Sequence, residues 1–188
     1  MTATESPWTA ERGRTLLRIA RQSLSEALGF GEGPGGWNDS WLREPGATFV
    51  TLRRRGNLRG CVGSIEAYRP LFDDLWHNAR ASAFHDTRFP PVEPGELREI
   101  SMEISLLSPP EPLPCTCEAE AIQILRPGVD GVIFECEERR STFLPQVWEQ
   151  LPDPLEFLDH LRRKAGLGYG FWSPEVRLSR YGVLKWEE

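Results

Sequence analysis

This 188-residue chain is poor in the side chains that most often carry chemistry: it has three histidines, four cysteines and two methionines. No stretch reaches the roughly 18 apolar residues that a membrane-crossing helix needs. The opening segment "MTATESPWTAERGR" has no apolar core of the signal-peptide kind, so a cytoplasmic chain is expected. Without secretion there is little reason for disulfides, and Cys61, Cys115, Cys117 and Cys136 are expected to be reduced. Basic residues are outnumbered, 22 Lys and Arg against 28 Asp and Glu. The net charge of −6 argues against a general nucleic-acid binder, which needs positive charge against phosphate. The G-x-S-x-G, H-E-x-x-H and Walker signatures are absent. So is the C-x-x-x-C-x-x-C arrangement that holds a radical-type iron–sulfur cluster.

What is present describes a folded protein. Hydrophobic residues make up 39% and charged residues 27%, and seven Trp with nine Phe supply bulk for a core. "TAERGRTLLRIARQSLSEALG" places Leu16, Ala20 and Leu24 on one helical stripe with Gly29 as a stop. A Gly- and Pro-rich loop follows. "RPLFDDLWHNARASAF" predicts a second helix, with Pro70, Asp73 and Asp74 at its start. "EISMEISLL" alternates as a strand with one buried face, Ile100, Met102, Ile104 and Leu106 on that face. "SPPEPLP" reads as a connector, "EAEAIQILRPG" as a short helix, and "GVIFECEERRSTFLP" as a hairpin turning near Glu137 to Arg139. "DPLEFLDHLRRKAG" predicts a helix capped by Asp153, with Leu155, Leu158 and Leu161 or Arg162 facing a core. "EVRLSRYGVLKWEE" predicts a strand or bent strand pair. Strands and helices mix without a βαβαβ rhythm, so the expected class is α+β with mainly antiparallel sheets.

The stretch "TLRRRGNLRGCVGS", residues 51 to 64, sets a cysteine between glycines in a basic hairpin. With Gly56 and Asn57 as the turn, Arg54 opposes Arg59 and Leu52 opposes Cys61, so Arg54, Arg59 and Cys61 share a face. Two like charges opposite each other are better tolerated with an anion between them. Gly60 and Gly63 weaken a strand, which makes sense where a ligand or another backbone comes close. The competing reading is a surface hairpin with a half-buried thiol.

Other patterns are weaker. "GLGYGFW" follows a helix instead of opening one, so it lacks the geometry that puts phosphate on a helix N-terminus. Cys115, Cys117, Cys136 and His160 make four zinc ligands by count. However, "CTC" leaves one residue between its cysteines where structural sites leave two to four, so no metal is expected. His77, His85 and His160 are eligible bases, and nothing in the spacing places one beside Cys61.

"LRGCVG" (58–63) resembles the L-R-G-C-I-G signature of the AMMECR domain family, whose microbial members are called AmmeMemoRadiSam system protein A. "NARASAFHDTRFPPV", "ISLLSPPEPL", "GVDGVIFE", "TFLPQV" and "KAGL" follow in family order. Val62 stands for Ile, Thr87 where Pro is usual, and His77 where an acidic residue is common. The resemblance covers roughly residues 10 to 185 and implies a single α+β domain of two closely packed lobes with flanking helices, after an N-terminal tail at 1–9. It also implies a site around the signature, with Arg59, Cys61 and Asp86 as its catalytic candidates. Gly60, Gly63, Asn78, Arg88 and Arg54 are the substrate-binding ones. The family name implies a pathway shared with a Memo-like protein and a radical S-adenosylmethionine protein. It brings no settled reaction and no cofactor. Two functions follow: an enzyme or substrate-handling component using Cys61 with Arg59 as anion clamp, or an adaptor whose basic hairpin docks an acidic partner. A nucleic-acid module is a weaker third.

Overall fold

The computed structural model describes residues 8–31, 33 and 35–188. The expected tail therefore falls mostly outside the described residues, as do Glu32 and Pro34 of the expected Gly- and Pro-rich loop. The chain forms two compact units, Met1–Leu107 with Leu184–Glu188, and Ser108–Val183. In chain order the first contains α1 (Ala10–Ala27), β1 (Thr48–Arg54), β2 (Asn57–Gly63), α2 (Leu71–Phe84) and β3 (Ile100–Leu107). The second contains β4 (Glu111–Pro112), α3 (Glu118–Ile124), β5 (Gly131–Cys136), β6 (Arg139–Phe143), α4 (Pro154–Lys164) and β7 (Arg177–Tyr181), after which β8 (Val183–Glu187) returns to the first sheet. Two antiparallel sheets with flanking helices result, and no helix among the described residues is long and apolar enough to cross a membrane.

In the first unit the strand order is β2-β1-β3-β8. Alternation assigns the two faces. Val50, Leu52, Met102 and Ile104 are buried in one core with Leu16, Ile19 and Leu24 of α1 and Leu75 and Ala79 of α2. Phe49, Thr51, Arg53, Ser101, Glu103 and Ser105 point the other way. The Thr9 hydroxyl caps α1 by accepting from the Arg12 N–H, and Gly29, at φ +83°, turns the chain away beyond it.

The hairpin differs from its expected register. Its turn residues are Arg55 and Gly56, at φ 53° and 82°, so both central positions take the left-handed conformation that a tight two-residue turn of matching twist requires. Arg54 therefore pairs with Asn57 and Arg53 with Leu58. The register then slips: Leu52 pairs with Gly60, leaving Arg59 as the extra residue of a bulge, and Thr51 faces Cys61. Arg54 does not oppose Arg59, and the two do not form a pair flanking the thiol.

In the second unit the order is β4-β7-β5-β6, around Val132, Phe134, Phe157, Leu158 and Leu161. The connector "SPPEPLP" contributes the short strand β4, which pairs with β7. Asp153 caps α4 as its sequence predicts, but Leu155 is 43% exposed and Phe157 takes its expected place in the core. Arg162 is fully buried because Glu118, Asp159 and the Phe171 carbonyl surround its guanidinium. The segment "EVRLSRYGVLKWEE" is a strand pair split between the two sheets, with one residue, Gly182, between β7 and β8.

Candidate functional site

Helix α2 carries polar residues at every fourth position, Asp74, Asn78 and Ser82, and Asp86 continues the spacing just past its end. These positions lie one above another on a helix, so they form a stripe, and the stripe faces β1 and β2. All four are buried. Asp74 accepts from the Thr48 N–H and hydroxyl, each at 2.7 Å, and from the Ser64 hydroxyl at 2.6 Å, while Arg69 pairs with it. Asn78 donates to the Thr48 carbonyl at 2.9 Å. The Ser82 hydroxyl accepts from the Val62 N–H at 2.9 Å and sits 2.7 Å from the Val50 carbonyl, touching two residues that face each other across the strands. A Cβ on Gly60 would lie 2.0 Å from the Ser82 carbonyl oxygen, so the close approach foreseen for this glycine is that of a helix backbone.

Because Gly60 faces α2, Cys61 faces the opposite side of the sheet. Its backbone is held at both polar groups. The N–H donates to Asp86 Oδ2 at 2.8 Å, and the carbonyl lies 3.4 Å from Arg88 Nη2. Arg88 closes the clamp on Asp86 through Nε at 2.9 Å and Nη2 at 2.7 Å. The Arg88 guanidinium first, and the Cys61 N–H after it, hold the Asp86 carboxyl well below the usual carboxylate range, against the upward push of burial. Asp86 is thus a fixed anion. The sulfur is half-buried and accepts from Thr51 Oγ1 at 3.3 Å. Phe49 lies one row along, its ring lying where a Cβ on Gly63 would stand. None of the hydrogen bonds at Cys61 involves a histidine.

Arg59 is placed differently from expectation. Its Nε and Nη2 both contact Glu96 at 2.9 Å, and the Pro90 and Pro91 carbonyls take further hydrogens at 2.8 and 3.2 Å. Arg54 bonds Glu96 at 3.0 Å and Glu99 at 2.6 Å, and Arg55 bonds Glu99 at 2.9 Å. The Arg59 bonds first, then the Glu93 N–H and the nearby Arg54 charge, bring the Glu96 carboxyl down to about 2, although burial opposes them. Neither Arg54 nor Arg59 is left to clamp an anion beside Cys61. Cys61, Asp86 and Arg88 are brought together, whereas Asn78 belongs to the Asp74–Thr48 network.

Spacing alone missed Thr51, Ser82, Asp74 and Glu96. The first was hidden by the misplaced turn. The helix members leave a visible trace, polar residues four apart in an alanine-rich helix. A groove of about 710 Å³ lies along α1 between Arg14, Arg18, Arg21 and Glu188, lined by neither cysteine nor histidine. Among the described residues no group of three His, Cys, Asp or Glu is arranged to hold a metal.

Residues 17–186 match the AMMECR1 family model. The chain belongs to the AMMECR1 family. It is 41% identical over 181 residues to a protein of Methanothermobacter thermautotrophicus, covering 94% of each chain. It is also 37% identical to one of Thermofilum pendens, covering 94% of this chain and 86% of the relative. The crystal structure of uncharacterized protein PH0010 from Pyrococcus horikoshii superposes with a TM-score of 0.84 at 32% identity, covering 96% of this chain and 93% of that one. AMMECR1 membership and this likeness account for the mixed helix-and-sheet architecture.

Proposed function

We propose that this AMMECR1-family chain acts through the Cys61 thiol, as an enzyme or as the substrate-handling component of one. The observation that supports this reading is the way the thiol is presented. The Asp86–Arg88 clamp fixes the Cys61 backbone at both ends, while the half-buried sulfur on the opposite face meets one hydroxyl donor. Holding a nucleophile in one geometry lowers the entropic part of a reaction barrier. In this reading Cys61 is the nucleophile, Thr51 positions its sulfur, and Asp86 and Arg88 position its backbone. Gly60 and Gly63 admit the neighbouring helix and ring. The shared pathway with Memo-like and radical S-adenosylmethionine proteins, and a cytoplasmic setting, belong to this proposal and rest on the family resemblance. The adaptor reading loses its main support because Arg54, Arg55 and Arg59 already spend their charge on Glu96 and Glu99.

The test is Thr51→Val, which keeps the side-chain volume and removes the donor. Losing one hydrogen bond to the reacting sulfur should slow iodoacetamide labelling of Cys61 about fivefold, read by mass spectrometry. The melting temperature should change little. An unchanged labelling rate in a folded variant would remove Thr51 from the site and weaken the case for a presented thiol.

A further inference from the structure

Among the described residues, three of the four hairpin arginines are paired with carboxylates and the fourth is not. Arg53 is exposed, and among the described residues the one hydrogen bond of its side chain goes to the Gly56 carbonyl at 3.4 Å. Its place in the sheet distinguishes it from the other three. Thr51 and Arg53 are two residues apart on β1, and the β1–β3 register runs unbroken through both, so their side chains share a face. Thr51 opposes Cys61 on one side and Glu103 on the other. Arg53 is therefore the diagonal neighbour of Cys61, with about 7 Å between Cβ atoms and well within the reach of an arginine. The bulge at Arg59 turns that arginine toward Glu96 and leaves the Cys61 face to Arg53. The nearest carboxylate in the row, Glu103, pairs with Lys185 at 3.5 Å.

We infer that Arg53 is the anion-recognition residue of the Cys61 site, and that the substrate is a small molecule carrying a carboxylate or phosphate group. The inference rests on the thiol reading above and adds the substrate class and the residue that selects it. Row by row, the face offers what such a molecule needs: Cys61 for the reacting atom, Thr51 beside it, the half-buried Phe49 ring along one edge and the Arg53 guanidinium along the other.

Two reagents of nearly equal size separate charge recognition from thiol reactivity. Iodoacetate is an anion and iodoacetamide is neutral. With either, Cys61 Sγ forms the new bond to the CH2 carbon, iodide leaves with its electron pair, and the thiol proton passes to buffer. Opposite unit charges about 7 Å apart in water attract enough to change a rate roughly threefold. The ratio of iodoacetate to iodoacetamide labelling at Cys61 should fall by about that factor in Arg53→Gln, the neutral reagent cancelling any change in the thiol itself. In Arg55→Gln, which removes a turn arginine held by Glu99, the ratio should stay at the parent value. An unchanged ratio in Arg53→Gln, or an equal fall in Arg55→Gln, overturns the assignment of Arg53 while leaving the thiol reading intact. Failure of both reagents to label Cys61 in the folded protein overturns the thiol reading itself, and this inference with it.

Discussion

Arg59 is held as a structural residue at all three guanidinium nitrogens, by Glu96 and two proline carbonyls. Both side chains of the pair are nearly buried, 12% and 10% exposed. Removing Arg59 takes two charge-assisted bonds from Glu96, which keeps Arg54 and the Glu93 N–H, so Arg59→Ala should cost about 2 to 3 kcal/mol at neutral pH. The pH dependence has a definite sign. Glu96 titrates near 2 when folded and near 4.5 ordinarily, so its contribution is present above about 4.5 and is lost as pH falls toward about 2. The penalty of Arg59→Ala should shrink across that window, measured by urea unfolding of parent and variant at several pH values. A penalty that stays constant down to pH 3 would mean Glu96 is not its source. The arginine-rich hairpin and its glycines were plain in the sequence, but the partners were not. Glu96 and Glu99 lie some forty residues away in a 3-10 helix, and no local pattern connects them to the hairpin.

At the scale of elements, α2 docks on the sheet through hydrogen bonds as much as through apolar contact. Ser82 shows how. Its hydroxyl accepts from the Val62 N–H and lies 2.7 Å from the Val50 carbonyl, so the helix is tied to β1 and β2 where they pair. Ser82→Ala removes both contacts from the strand pair, which should cost about 2 kcal/mol. The Val62 amide should then exchange its hydrogen faster than in the parent, read by NMR. Unchanged exchange would show that the serine does not protect the Val62 amide. The helix and its ends were legible from its apolar spacing, Pro70 and the early acidic residues. Which face was buried was less so, because hydrophobic periodicity does not mark a polar stripe as an interior face. The hairpin was legible as a hairpin, but its register was not. "GN" is a common turn pair, while the turn used here places an arginine at positive φ and is followed by a bulge.

Over the whole molecule, the chain leaves the first unit after Leu107 and returns to it at Leu184, where the last strand completes the first sheet. A single glycine between β7 and β8 gives no hint that they belong to different sheets, so composition and periodicity suggested two strands but not where they go. The four thiols are spread over both units in contrasting settings. Cys61 is half-buried on its sheet face, Cys117 is exposed, and Cys136 is 4% exposed in the second core. Burial first, with Glu120 nearby, pushes the Cys115 thiol up. That spread makes the chain its own control. The measurement is site-resolved iodoacetamide labelling of all four cysteines in the native protein near neutral pH, each rate divided by its rate in urea. If Cys61 is presented for chemistry, its ratio should match or exceed that of exposed Cys117, while Cys136 should be protected by more than about a hundredfold, as a core residue that reacts when its unit opens. A Cys61 as protected as Cys136 would contradict the account and make the thiol a packing residue of the sheet.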